Sequence, residues 1–220
     1  MQRRTAEWIR QSLTDTFGPP TLLPQDPVEV LVTTILSQNT NDANRDRAYA
    51  CLLERFGSLE AVSRASAPQI ASAIQAAGLE TQKARTIVDV LRRIREAAGR
   101  LDLSFLGDLS AGEAFAWLRA SRGIGAKTAS IVLLFSFGMP FFPVDTHIRR
   151  VLRRMGVIAE TGDAFRQAQD ALPKDAPLLR DLHLLVIQLG RTLCRPSRPA
   201  CTSCPLVVRC EFGRTAPVTP

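Results

Sequence analysis

A chain of 220 residues with 45% hydrophobic content can bury a core without disulfide bonds, as one large domain or two small ones. Its 28 Lys and Arg against 21 Asp and Glu give a net charge of +7, which favours polyanionic partners such as nucleic acid. No stretch approaches the roughly 20 apolar residues of a membrane span, and the basic segment Met1 to Arg10 is unlike a secretory signal. We therefore expect a cytoplasmic, nucleoid-associated protein, although charge alone leaves a merely soluble basic protein equally open.

Helical signals dominate and predict an all-α fold. The segment Asp26 to Glu29 combines an N-cap, a proline at the first helical position and a carboxylate, and it predicts a helix through Leu36. The β-branched run Val30 to Ile35 favours a strand instead, but propensity is a weaker guide than a complete start signal.

Two further helix starts carry the capping-box pattern, at Ser66 to Gln69 and at Ser110 to Glu113. We expect the first of these helices to end at Gly78. The C-terminal tail from Gly213 to Pro220 has the composition of a disordered segment.

A glycine hairpin, Gly123-Ile124-Gly125, lies between two predicted helices, the second running from Ala126 to Phe137. The glycines allow positive φ angles and close approach, and the next helix start offers unpaired N–H groups, so a DNA phosphate would fit there. A tight interhelical turn explains the glycines equally well.

Lys127, in the first turn of that second helix, adds chemistry to the hairpin. The helix dipole favours the neutral amine, and a neutral amine can attack a sugar carbon to form a Schiff base. The alternative is a solvated lysine that contacts phosphate.

Asp145 follows the apolar segment Phe141 to Val144 and precedes a basic helix, where it would act as an N-cap. A partly buried carboxylate near a nucleophilic lysine can also deprotonate the amine, or stabilise the positive charge that develops when a glycosidic bond breaks. The same helix carries four arginines on one face, with no acidic partner in the segment. This pattern favours DNA phosphate contact over a solvated face. The four are Arg149, Arg150, Arg153 and Arg154.

Four of the five cysteines follow the spacing Cys194-x6-Cys201-x2-Cys204-x5-Cys210. In a reducing compartment this crowding indicates a metal centre rather than disulfides. Zinc ribbons more often show two C-x2-C pairs, and Cys-Pro is typical of ferredoxin clusters, yet chemistry alone leaves zinc and [4Fe-4S] about equal. The isolated Cys51 is interpreted as a core residue.

The hairpin with Lys127, the segment Val144 to His147 and the cysteine ladder together resemble the endonuclease III family of helix-hairpin-helix DNA glycosylases, from about Pro27 to Cys210. The resemblance implies a two-lobed fold. Residues 23–134 would form a six-helix barrel domain with the hairpin, and residues 1–22 and 135–220 a discontinuous iron-sulfur cluster domain. It also implies that the four cysteines bind a [4Fe-4S] cluster.

By this resemblance the chain is expected to be a bifunctional DNA glycosylase and AP lyase of base excision repair. It would remove oxidised pyrimidines from double-stranded DNA, act also at abasic sites, and work as a monomer. Lys127 would attack C1′ of a flipped nucleotide, Asp145 would assist, and β-elimination would nick the strand.

The resemblance also implies a set of DNA contacts. These are Gln38, Asn39, Leu79, Gly123, Gly125, His147, Arg149 and Arg153. Asn39 and Leu79 are expected to fill the space that the flipped nucleotide vacates. The family usually has a glutamine at the position of Asn39 and a proline at that of Arg122. The cluster would hold a basic loop of Arg191, Arg195 and Arg198 against DNA.

Two other functions remain open. One is a monofunctional mismatch or adenine glycosylase in which Asp145 activates water, although such enzymes lack a lysine at the position of Lys127. The other is a non-catalytic DNA-binding protein with a structural or redox-sensing cluster.

Overall fold

The computed structural model describes residues 3–21 and 25–215, and these consist of helices and connecting turns with no strand among them. The predicted all-α fold is confirmed. The α-helices are α1 (Arg3–Phe17), α2 (Pro27–Leu36), α3 (Asp42–Phe56), α4 (Leu59–Val62), α5 (Ala67–Ala73), α6 (Glu80–Ala98), α7 (Ala111–Arg119), α8 (Ala126–Phe137), α9 (Thr146–Arg154), α10 (Ala164–Ala171), α11 (Ala176–Thr192) and α12 (Glu211–Thr215). Short 3₁₀ helices span Gln75–Ala77, Ser104–Asp108, Cys201–Ser203 and Val207–Arg209. Within the described ranges, no helix has both the length and the apolar character needed to cross a bilayer.

The chain divides into two compact units, Pro24–Phe137 and the discontinuous Met1–Leu23 with Gly138–Pro220. The sequence placed one boundary between residues 134 and 135, inside α8, whereas the unit extends to the end of that helix. The other expected boundary, between residues 22 and 23, lies outside the described residues.

In the first unit, α2 forms as its start signal predicts. The Asp26 carboxylate accepts hydrogen bonds from the backbone N–H groups of Val28 at 2.8 Å and Glu29 at 3.1 Å. The β-branched run that favoured a strand is helical, and most of it is buried. A helix that is apolar on nearly all sides belongs in the middle of a helical unit, and there burial outweighs the weak strand preference.

The capping boxes at Ser66 and Ser110 are both present. The first helix ends earlier than expected, at Ala73, and a 3₁₀ helix leads from it to Gly78. Gly78 ends this 3₁₀ helix with a φ of +66°, so its predicted role as a stop signal applies to the 3₁₀ helix and not to α5. Cys51 on α3 is only half-buried, so the prediction of a core position is wrong.

In the discontinuous unit, the N-terminal α1 packs against α11, as does α9. The carboxylate of Asp175 caps α11 through the N–H of Leu178 at 3.0 Å and also binds the guanidinium of Arg3 at 2.6 Å. The predicted disorder is wrong for residues 213–215, which belong to α12. Residues 216–220 lie outside the described part of the chain.

Candidate functional site

The turn between α7 and α8 is the predicted glycine hairpin. Ile124 is buried at its centre, with 4% exposure, and its N–H donates to Ser121 O at 3.1 Å. Of the two glycines, Gly123 has a positive φ, +85°, and a Cβ built on it would lie 2.9 Å from Thr86 Cγ2. Gly125 has no positive φ and open space around it. The hairpin therefore needs glycine at position 123 for two independent reasons, and the expected positive φ is absent at position 125.

Helix α6 braces this hairpin from behind. The guanidinium of Arg93 stacks on the Trp117 ring at 4.4 Å and donates to Ser121 Oγ at 3.0 Å. Thr86, two turns earlier on α6, packs against Gly123. Sequence reasoning missed both supports, because residues about 30 positions away carry no local signal for a contact.

Lys127 is the second residue of α8 and is half-buried. Its neighbour Thr128 is buried, and the side-chain amide of Gln38 lies 3.4 Å from Thr128 Oγ1. The same Nε2 donates to Gly123 O at 3.2 Å. Gln38, predicted as a DNA contact, therefore has its amide nitrogen on the hairpin and links the turn after α2 to the start of α8.

Asn39 and Leu79 are exposed, and both adopt the left-handed conformation, each with φ of +52°. Half of the Leu79 side chain, 50%, is accessible. A left-handed leucine costs roughly 1–2 kcal/mol relative to ordinary backbone, whereas asparagine tolerates it better. Strain at a residue that gains little burial in return is typical of functional turns.

Asp145 is the N-cap of α9, as predicted, and its Oδ1 accepts from Ile148 N at 2.7 Å. The carboxyl group is half-buried. One carboxylate oxygen is thus engaged by the helix start, which fixes the orientation of the side chain.

The backbone that leads into Asp145 is held by two residues that sequence reasoning missed. The Gln169 amide accepts from Phe142 N at 2.9 Å and donates to Phe142 O at 2.7 Å. Nδ1 of the buried His183 lies 3.2 Å from Pro143 O. Both come from later helices, α10 and α11, so their role depends on tertiary packing.

The basic face of α9 is only partly available to phosphates. Arg150 donates to Cys194 O at 2.9 Å and to Gly190 O at 2.7 Å. Arg154 donates to Arg195 O at 2.7 Å and to Pro196 O at 2.9 Å. These two arginines therefore hold the first cysteine loop, and the phosphate contact expected of them remains a prediction.

The other two arginines of that face differ in their surroundings. Arg149 is exposed, whereas Arg153 Nη1 lies 3.8 Å from the carboxylate of Glu160, an acidic partner outside the segment considered from sequence. His147 is half-buried, with Nδ1 3.2 Å from Arg150 Nη2. The DNA contacts expected of Arg149, Arg153 and His147 remain predictions.

The four cysteines of the ladder line one pocket. Arg154 Nη1 lies 3.4 Å from Cys194 Sγ, and the N–H of Gly213 lies 3.3 Å from Cys210 Sγ. Burial, followed by the charge of the neighbouring cysteines, raises the pKa of the Cys201 thiol. Burial likewise raises the pKa of the Cys204 thiol.

The arrangement of the thiols bears on the kind of metal centre. In residues 3–21 and 25–215, no three His, Cys, Asp or Glu side chains are placed to hold a single metal ion. A zinc site needs four sulfurs each about 2.3 Å from one ion. Four cysteines that share one pocket form an all-sulfur donor set, which suits either zinc or an iron-sulfur cluster.

Comparisons with known proteins agree with one another. Residues 32–174 match the model of the HhH-GPD superfamily base excision DNA repair proteins. Endonuclease III of Thermotoga maritima is 32% identical over 86% of this chain and 84% of its own length. Endonuclease III of Sulfolobus acidocaldarius is 34% identical over 83% of this chain and 80% of its own. A solved structure of a trapped endonuclease III-DNA covalent intermediate shares the fold, with a TM-score of 0.77, 24% identity, and coverage of 97% of this chain and 98% of that one.

Alanine substitution of the two hairpin glycines should have unequal effects on stability. Gly123→Ala should lower the free energy of unfolding by about 1–3 kcal/mol, because alanine is strained at this φ and its Cβ collides with Thr86. Gly125→Ala should change it by less than about 0.5 kcal/mol. Urea unfolding of the two variants beside wild type measures the difference. Equal losses would contradict the assignment of the conformational requirement to position 123.

Proposed function

Since the chain belongs to the endonuclease III family of HhH-GPD base excision DNA repair proteins, and is therefore a DNA glycosylase, we propose that it is bifunctional. It removes oxidised pyrimidines from double-stranded DNA and nicks the strand as an AP lyase. Lys127 is the nucleophile and Asp145 assists it. The protein works as a monomer in the nucleoid.

The observation that carries the lyase proposal is the scarcity of amines. The sequence contains three lysines, Lys83, Lys127 and Lys174. Lys83 is buried, and its amine donates to two backbone carbonyls. Lys174 is exposed and donates to Gln169 O at 2.6 Å, on α10. Lys127, half-buried at the start of α8 beside the hairpin, is the lysine whose position suits attack on a nucleotide.

The proposed reaction proceeds in two stages. The neutral amine of Lys127 attacks C1′, the glycosidic bond breaks, and the base leaves with the bonding electron pair and is protonated. Loss of a proton from the nitrogen and opening of the sugar ring give a Schiff base. Removal of a C2′ proton then expels the 3′ phosphate by β-elimination. Water finally releases Lys127.

Asp145 has two roles in this scheme. Its carboxylate serves as a general base in the reaction, and its negative charge stabilises the oxocarbenium-like sugar as the glycosidic bond breaks. One oxygen is already fixed by the N–H of Ile148, which orients the other. A solved structure that shares the fold is described as a trapped endonuclease III-DNA covalent intermediate, and a covalent step is what the proposal assigns to Lys127.

The turns around the hairpin supply the grip on DNA. The backbone N–H groups near Gly123 and Gly125 and the start of α8 bind a phosphate. Asn39 and Leu79, exposed on strained turns, enter the duplex and fill the space of the flipped nucleotide. His147, Arg149 and Arg153 contact the backbone of the same DNA.

We further propose that the four cysteines of the ladder hold a [4Fe-4S] cluster. Support comes from the all-sulfur donor set and from the pocket that the four residues share. A bound cluster would supply positive charge to balance the thiolates and would tie the C-terminal loops together. It would thereby hold in place for DNA the loop of Arg195 and Arg198; Arg191, expected in the same loop, lies in the last turn of α11.

Borohydride trapping on duplex DNA with an abasic site tests the nucleophile. Wild type should give a covalent adduct, because borohydride reduces the Schiff base to a stable amine. Lys127→Ala should give none, which is a loss of at least about a hundredfold. Lys174→Ala is the matched control, since it removes an exposed amine, and it should trap as wild type does. An active wild type without an adduct would indicate a monofunctional glycosylase, and adduct formation by Lys127→Ala would exclude this lysine.

Asp145→Asn separates catalysis from helix capping. Asparagine is as good an N-cap as aspartate, so the free energy of unfolding and the affinity for abasic DNA should stay close to those of wild type. Base excision should fall by about a hundredfold or more, because the amide accepts no proton and stabilises no cation. Single-turnover excision of thymine glycol and fluorescence anisotropy measure the two quantities. Parallel loss of binding and excision would mean that Asp145 acts as a cap only.

Metal analysis tests the cluster. Protein purified without oxygen should contain about four iron and four sulfide per chain. The Cys201→Ala variant should retain less iron and unfold more easily, whereas Cys51→Ala, which lies outside the ladder, should keep both. Stoichiometric zinc in place of iron would overturn the proposal.

A further inference from the structure

Lys83 is a buried amine that the proposed chemistry does not use. Its side chain is 2% exposed, and Nζ donates to Leu36 O and to Ala77 O, each at 2.8 Å. Burial lowers the pKa of Lys83 below the ordinary value of a lysine. Burying an ammonium group is costly unless its N–H donors find acceptors. The two carbonyls that accept from Lys83 offset part of this cost.

Both carbonyls lie at the ends of helical segments. Leu36 is the last residue of α2, and Ala77 is the last residue of the 3₁₀ helix before α6. Carbonyls at such ends lack intrahelical donors and carry the negative end of the helix dipole, which makes a cation their preferred partner. Lys83 therefore joins the ends of two helical segments, which are about 40 residues apart in sequence.

Each of these ends leads directly into one of the strained, exposed residues. Asn39 follows Leu36 by three positions, and Leu79 follows Ala77 by two. Both have φ of +52°. The left-handed conformation is costly for Leu79 in particular, and it persists because the backbone on either side is held.

Lys83 holds the backbone on both sides of Leu79. Its N–H donates to Leu79 O at 2.9 Å, in the first turn of α6, while its side chain binds Ala77 O on the other side of Gly78. Gly78 has a φ of +66°, so two consecutive residues with positive φ are enclosed between these two bonds. Lys83 thus holds the conformation of Leu79 both through its backbone N–H and through its side chain.

The turn that carries Asn39 has weaker bonds of its own. The N–H of Gln38 donates to Ile35 O at 3.2 Å, and the N–H of Thr40 donates to Ser37 O at 3.4 Å. The bond from Lys83 to Leu36 O, at 2.8 Å, is shorter than either and involves a charged donor. It fixes the start of this turn against α6.

We propose that Lys83 is a positioning residue that sets the placement of Asn39 relative to Leu79, so that both side chains enter the duplex together. The inference rests on the proposed function, in which these two residues fill the vacated space. Lys83 touches neither the DNA nor the reacting atoms. It acts through the carbonyls of Leu36 and Ala77.

A double-mutant cycle tests this role. Lys83→Met keeps the length and apolar stem of the side chain but removes the donors, and it should lower kcat/KM on a duplex with one thymine glycol by about tenfold. Leu79→Ala should cause a similar loss. Because Lys83 acts by placing Asn39 and Leu79 relative to each other, loss of the Leu79 side chain removes the effect of that placement, and the double variant should be within about threefold of Leu79→Ala alone. Multiplied losses would overturn the inference.

Ile94→Ala is the matched control, since it truncates a fully buried residue three turns further along α6. It lowers stability without touching the two carbonyls, so its effect on kcat/KM should multiply with that of Leu79→Ala. Should Lys83→Met not fold, Lys83→Gln, which keeps an amide donor on a shorter stem, serves in the same cycle. Its loss should again disappear in the Leu79→Ala background.

The cycle separates failure of this inference from failure of the proposed function. Wild-type protein that leaves thymine glycol in place would refute the proposed function and the inference with it. Full activity of Leu79→Ala would show that the Leu79 side chain is not needed, so that Lys83 would have nothing to position there. That result would refute the inference while leaving the lyase chemistry intact. Active wild type with independent losses at positions 83 and 79 would refute the role of Lys83 alone.

Discussion

Carbonyl oxygens at the ends of helices must find donors when the surrounding chain is packed, and in this protein cations provide several of them. In the unit Pro24–Phe137, the buried ammonium of Lys83 serves the ends before Asn39 and Leu79. In the discontinuous unit, Arg150 binds Gly190 O, near the end of α11. A single physical requirement therefore recurs in two separately packed parts of the chain.

This requirement explains how strained turns persist on the surface. A left-handed leucine is less stable than an ordinary one by roughly 1–2 kcal/mol, and it would relax if its neighbours were free to move. Bonds from Lys83 on both sides of Leu79 prevent that relaxation. The glycine hairpin is supported in a similar way, because Arg93 donates a hydrogen bond to Ser121 and Thr86 packs against Gly123. Exposed functional turns are thus supported by side chains that lie behind them.

Local chemistry could be predicted from sequence, and long-range partners could not. The caps at Asp26, Ser110 and Asp145 and the bounds of α8 depend on neighbouring residues, and each is present as expected. The four arginines do lie on one helix, α9. Their spacing shows that they share a face of that helix, but it does not show which residues pack against that face. Arg150 and Arg154 therefore looked available for phosphate although backbone carbonyls more than 35 residues away engage them. Lys83, Gln169 and His183 were overlooked for the same reason, since each binds backbone groups of another segment of the chain, and spacing does not reveal such contacts.

The large excess of arginine over lysine in this chain bears on the proposed Schiff-base chemistry. The chain carries 25 arginines and three lysines. Arginine stays protonated in proteins, so its guanidinium can bind phosphates and carbonyls but cannot form a Schiff base with a sugar. A protein that binds DNA through arginine therefore presents few amines that compete for the aldehyde of an abasic site. Of the three lysines, Lys83 is closed off by burial, and Lys174 is exposed beyond the end of α10 and donates to Gln169 O, which leaves the hairpin lysine as the amine suited to the proposed reaction.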